Sequence, residues 1–183
     1  MAQSEPCDLK RNSNSIKVYT CKTENEKFKL LRAEFELKDI SLGRLKDFIW
    51  DVPNYTTWQY NMIESEMISS SGEFEMAYRS VVDAPWPVEN RELVLKVRMI
   101  EDSTTASIFI HSFDYEKPTP DNMVRVPLFD GSWKIVKDVN NLKVTYTLRI
   151  DPGGLVPAWL ANLAMAEGPF VSFKKLKDQL EKK

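Results

Sequence analysis

Between Ile63 and Ile150 the chain reads as one strand after another, with no helical segment among them. Strands that follow each other through short turns pair antiparallel. Ile63 to Ser69 and Phe74 to Val82 predict a hairpin around Ser70, Ser71 and Gly72. Leu93, Leu95, Val97 and Met99 mark one face of the next strand, and Ala106 to Tyr115 predicts another. Val124 to Val136 is strand-like but interrupted near Pro127 and Gly131. The cleanest alternation is Leu142, Val144, Tyr146, Leu148 and Ile150 against Lys143, Thr145, Thr147 and Arg149. Period-two alternation means one buried face and one wet face.

Helices flank this block. Asp39 and Ser41 offer caps for a short helix through Leu42, Leu45, Phe48 and Ile49, which Pro53 ends. Two further strands precede it, Ile16 to Cys21 and Phe28 to Lys38. After Asp151-Pro-Gly-Gly154, a long helix is predicted from Pro157 to Leu180. Its apolar stripe is Trp159, Leu163, Ala166, Phe170, Phe173, Leu176 and Leu180. Gly168-Pro169 predicts a kink within it. The result is an α+β fold, a large curved antiparallel sheet gripping a long C-terminal helix.

A chain of 183 residues fits one domain, predicted over 16–183. Residues 1–15 are polar and are expected to be disordered or loosely packed. They lack the apolar middle of a signal peptide, and no stretch approaches the roughly 18 apolar residues of a membrane span. A cytoplasmic protein is expected, in which Cys7 and Cys21 stay unbonded. One histidine and two cysteines exclude most zinc sites, and neither a metal nor a cofactor is expected. Net charge is −2, which argues against nucleic acid as a partner. The lysine-rich end, Lys174 to Lys183, reads as a solvated helix face, or else as a weak contact for an anionic membrane surface.

The periodicity points Met76, Tyr78, Leu95, Met99, Phe109, Phe113, Tyr146 and Trp159 inward. Each aromatic is read first as core. Among polar groups, Arg79, Arg98, His111, Arg125 and Tyr146 are candidates to orient a ligand; for the arginines the plainer reading is a surface position or a structural ion pair. His111 lies between Phe109 and Phe113 on one strand face, as a buried neutral imidazole or a ligand contact.

Several motifs, in order and spacing together, resemble the START domain, the steroidogenic-acute-regulatory-related lipid-transfer family, and its bacterial members. They are Phe48-Ile-Trp-Asp-Val-Pro-Asn-Tyr-Thr-Thr-Trp58, Ala84-Pro-Trp-Pro-Val-Glu-Asn-Arg91, Gly131-Ser-Trp133, Thr145-Tyr146, Asp151-Pro-Gly-Gly154 and Pro157-Ala-Trp159. Glu92 stands where that family more often has aspartate. The resemblance implies a helix-grip fold with an internal hydrophobic tunnel gated by the C-terminal helix. It implies a monomeric, non-catalytic binder or carrier of a lipid-like or sterol-like molecule, in passing contact with membranes. Candidate tunnel residues are Met76, Tyr78, Leu95, Met99, Phe109, His111, Phe113, Arg125 and Tyr146 on the sheet, with Trp159, Leu163 and Phe170 on the helix. Gly153-Gly154 is either the hinge of that gate or a tight turn. Two other functions are open. One is a cyclase- or aromatase-like enzyme using His111, or Tyr146 with Arg125. The other is a ligand-responsive interaction module.

Overall fold

The computed structural model describes residues 6–22, 29–156 and 158–182, the side chains of 158–164 and 166 excepted. The described residues form ten strands and three α-helices. They are β1 (Cys7–Ser13), β2 (Ile16–Cys21), β3 (Leu30–Lys38), α1 (Leu42–Trp50), α2 (Tyr55–Trp58), β4 (Met62–Ser71), β5 (Glu75–Val82), β6 (Asn90–Glu101), β7 (Thr105–Ser112), β8 (Met123–Arg125), β9 (Leu128–Asp138), β10 (Asn141–Asp151) and α3 (Ala158–Leu180). β2 to β7, β9, β10, α1 and α3 fall where the sequence places them, whereas β1, α2 and the separate β8 were not expected. One sheet runs β1-β2-β3-β10-β9-β7-β6-β5-β4, antiparallel throughout. The short β8 pairs with β6 in parallel. β10 joins β3 because its alternation matches that strand residue for residue: Leu142 opposite Leu37, Val144 opposite Phe35, Tyr146 opposite Ala33. A shift of one would turn each of these residues to solvent.

Ser41 caps α1, its hydroxyl accepting from Arg44 N at 3.2 Å. Pro53 lies in a one-turn 3₁₀ segment, Val52–Asn54, where its missing N–H costs no helical bond. α3 packs against β2, β3 and α2, with Phe173, Leu176 and Leu180 buried. Phe173 stacks on Phe35 at 4.7 Å and meets Trp133 and Tyr146 edge-on. The helix continues through Pro169. Gly168 faces Tyr60 so closely that a Cβ would lie 3.4 Å from its ring. The Ser172 hydroxyl accepts from Tyr60 N and donates to Gly168 O, each at 2.9 Å.

Two expectations fail at the N-terminus. Residues 7–13, expected to be loose, form an edge strand. Asn14 and Ser15 make the turn at φ 53° and 59°, as a two-residue hairpin requires. Cys7 and Cys21, expected to stay apart, are joined in a disulfide. Counting back from the turn, Cys21 would face Asp8. A bulge between Leu9 and Arg11 moves the register by one and sets Cys7 opposite Cys21. Compartment reasoning from composition could not anticipate a bulge.

Two lysines of the C-terminal run are held, while Lys175 is exposed. Lys177 is buried and donates to Glu36 O, while Lys174 pairs with Asp178 at 2.7 Å. Lys182 is exposed, and Lys183 lies outside the described residues.

Candidate ligand-binding site

Six of the residues read as tunnel candidates lie on the inner side of the sheet or on α3 facing it. Met76, Tyr78, Leu95, Met99, Tyr146 and Phe170 are all buried, in the same core. Register explains the grouping: Met76 is opposite Val97, Tyr78 opposite Leu95, and Tyr146 opposite Trp133. Trp159 and Leu163 lie outside the described side chains.

Tyr78 meets Tyr55 edge-on at 5.2 Å, and Tyr146 meets Trp133 at 5.4 Å. Burial pushes the Tyr78 phenol well above its usual range. Burial does the same to Tyr146, with Tyr78 nearby adding to it. Both stay neutral at any physiological pH and can donate a hydrogen bond. Ser80 is fully buried on the same face, opposite Leu93 and Ser65. Its Oγ, with Trp133 Nε1 and Trp58 Nε1, has no hydrogen-bond partner among the described residues. Buried donors of this kind are rare and call for an explanation.

Phe109, His111 and Phe113 correct the sequence reading. Phe109 and His111 do share one face of β7, but it is the outer one, and Phe113 lies past the end of the strand. Phe109 is 36% exposed, and the His111 side chain is 54% exposed and bonds Asp130 at 3.1 Å. The inward residues of β7 are Ala106, Ile108 and Ile110, opposite Glu101, Met99 and Val97. Both faces of this strand carry large apolar residues, Phe109 on one and Ile108 and Ile110 on the other, so its orientation rested on the pairing with β6. Phe113 lines an open cleft of about 600 Å³ with Tyr115, Arg125 and Pro127.

Arg125 is likewise an outer residue. It and Arg79 converge on Glu92, whose side chain is only 2% exposed. Arg79 Nε donates to Glu92 Oε1 at 2.6 Å, and Arg125 Nε to Oε2 at 2.8 Å. Burial works against the carboxylate, yet the two guanidinium hydrogen bonds outweigh it and hold its pKa below the ordinary value. Arg125 also donates to Tyr115 O and Lys117 O, fastening the loop before β8. Arg79 and Arg125 are therefore structural. Arg98, 65% exposed, lies beside Glu75.

Arg91 binds backbone carbonyls. It donates to Pro152 O at 3.0 Å, to Gly153 O at 3.1 Å, and to Glu89 O. Gly153 and Gly154 take φ 66° and 61°. A Cβ on Gly153 would lie 3.0 Å from both Val124 and Pro127. This is a tight turn, packed and clamped. Arg91 thus joins the β5–β6 loop to the β10–α3 loop. Each carries one large apolar side chain in solvent, Trp86 at 92% and Leu155 at 97% exposure.

The family model of the START domain matches residues 7–182. The chain belongs to the START domain family. A STAR-related lipid transfer protein from Xanthomonas axonopodis superposes with TM-score 0.86 at 26% identity, covering 96% of this chain and 99% of that one. Human STARD10 superposes with TM-score 0.82 at 18% identity, covering 96% of this chain and 73% of its own, and so shares the fold. The uncharacterized protein PA1579 of Pseudomonas aeruginosa is 28% identical over 185 residues, spanning all of this chain and 90% of that protein. The helix-grip architecture read from the sequence is thus that of the START domain, with α3 as the gripped helix. No helix among the described residues is long and apolar enough to cross a membrane.

Proposed function

We propose that this START domain binds one lipid-like or other apolar molecule between the inner face of its sheet and α3, and carries it without chemistry. The observation that carries this reading is the inner face itself, an apolar wall bearing neutral donors at Tyr78 and Tyr146 and the partnerless Ser80 Oγ and Trp133 Nε1. An apolar body with an uncharged oxygen-bearing head would satisfy both. Burying ~400 Å² of such a ligand contributes roughly 10 kcal/mol before ordering costs. The lipid-transfer name of the Xanthomonas axonopodis relative supports the same reading.

The catalytic alternative loses its constellation. Tyr146 lies in the core, His111 is on the outer surface beside Asp130, and both oxygens of Glu92 engage Arg125 and Arg79. Native mass spectrometry of the purified protein is expected to show one retained apolar molecule, or uptake of one added lipid. A chain that stays empty with every lipid class offered would overturn the reading. Because the inner donors are neutral, binding is expected to be flat between pH 6 and about 9. A titratable step in affinity would exclude these donors.

Membrane contact is assigned to Trp86 and Leu155 rather than to the lysine-rich end. Both side chains are nearly free in solvent on loops that Arg91 joins, beside the start of α3. A Trp suits the interface between water and lipid. The double variant Trp86→Ser with Leu155→Ser is expected to lower lipid transfer between vesicles at least tenfold with an unchanged Tm. Unaltered transfer would place the docking face elsewhere.

A further inference from the structure

β1 has little apolar burial to hold it. It is the edge strand, Leu9 is 51% exposed, and none of its residues belongs to the core. Beyond its ladder with β2, side chains among the described residues attach it at its first residue and in mid-strand. The disulfide ties its first residue, Cys7, to the last residue of β2. Next to that bond, Lys22 N donates to Pro6 O at 3.1 Å. In mid-strand, Arg11 shares the inward face with Val18 and reaches α3. Its guanidinium pairs with Glu167 and lies 3.9 Å over the ring of Phe170. β1 therefore connects the sheet edge to the gripped helix, and the disulfide locks the end farthest from the hairpin turn.

We propose that β1 is a redox-operated latch on α3. With the disulfide intact, Arg11 is held against Glu167 and Phe170. A dithiol reductant opens the bond, the strand frays from its Cys7 end, and α3 is freed to move and exchange ligand. The inference rests on the ligand-binding reading only for that last consequence.

The chemistry balances as thiol–disulfide exchange. A reductant thiolate attacks Cys7 Sγ, the more accessible sulfur, since Cys21 is 1% exposed. Cys21 leaves as a thiolate and takes up a proton. The second reductant thiol, deprotonated, attacks the mixed disulfide and releases Cys7, which is protonated in turn. Two electrons pass to the protein, and the dithiol becomes a disulfide. None of the strand's own residues is part of the core, so its opening belongs to the local class of unfolding. The Arg11–Glu167 pair, about one-third exposed, is a single ion pair and too weak to hold the strand by itself.

Hydrogen exchange of the full chain, oxidised and then reduced with dithiothreitol, tests this. Amides of 7–13 and of α3 around 167–173 are expected to exchange at least tenfold faster after reduction, with β5–β7 and β9–β10 unchanged. Cys7→Ser is expected to show the fast pattern in oxidising buffer. Arg11→Ala is expected to speed α3 exchange while the disulfide remains. Release of a fluorescent fatty-acyl probe is expected to quicken at least fivefold on reduction. Unchanged α3 exchange overturns the latch, as does a rise spread over the whole sheet, or two free thiols titrated in the oxidised protein. A probe that binds in neither state, while exchange still responds at α3, overturns the ligand reading and leaves the latch standing.

Discussion

Glu92→Ala is expected to cost about 3 kcal/mol of stability, because it strands two guanidinium groups packed over a site the carboxylate had neutralised. For a chain of this size that corresponds to a fall in Tm of about 6–12 °C. Glu92 is 2% exposed, and the Arg79 and Arg125 side chains are 16% and 23% exposed. Little water is at hand to replace the lost charge. The loss extends beyond the pair, since Arg125 also fastens the Tyr115–Lys117 backbone. Replacing all three with apolar residues of similar size, Glu92→Leu with Arg79→Met and Arg125→Met, is expected to recover most of the stability.

The same triad gives a pH dependence with a definite sign. The folded pKa of Glu92 is lowered. Its contribution is therefore fully present above the unfolded value of about 4.3 and is lost as pH falls through the lower folded value. Urea unfolding of the wild type is expected to weaken below about pH 5 more steeply than that of Glu92→Ala. A variant within 1 kcal/mol of wild type at pH 7 would show that the carboxylate does not hold this face together.

Ser80→Phe is expected to abolish lipid binding, at least 100-fold in affinity, while Tm changes by no more than about 3 °C. Ser80 is fully buried on the inner face between Tyr78 and Val82, and its hydroxyl has no partner among the described residues. A phenyl group there would occupy the volume assigned to ligand and remove one of its donors. In an interior already filled by side chains, the same substitution overpacks and costs typically 1–3 kcal/mol. Fluorescent-lipid titration and thermal unfolding of one sample separate these results. A large loss of stability would contradict a ligand space beside Ser80. Retained affinity would place the ligand elsewhere. Ser80→Ala is expected to be neutral or slightly stabilising, since it removes a buried hydroxyl without a partner.

Much of the fold was legible because it is written in short-range periodicity. Leu142 to Ile150 alternates cleanly, and β10 runs over Asn141–Asp151. The stripe ending in Phe170, Phe173, Leu176 and Leu180 requires a helix with one apolar side, and those four residues are buried. The inward-facing side chains were legible where the partner strand agrees, as at Tyr78 and Leu95. The reading failed at β7, where Ile108 and Ile110 compete with Phe109 and Phe113 for the inside. Aromatic bulk pointed to the wrong pair. Trp133 stands out in the sequence only as part of a family motif and Ser80 is not singled out, for different reasons. Trp133 lies in a stretch broken by Gly131, and a serine carries no signal of burial until its neighbours in space are known.

Local pattern alone thus determined most of the elements, the antiparallel character of the sheet and the grip of sheet on helix, but not β1, α2 or the parallel β8. Those follow from how often apolar side chains recur along the chain. Tertiary structure decided everything that depends on register. A bulge beside Lys10 joined Cys7 to Cys21, and pairing with β6 turned His111 outward to Asp130. The parallel addition of β8 brought Arg125 to Glu92. In each case a displacement of one residue reverses a side chain's face, and only the partner strand carries that information.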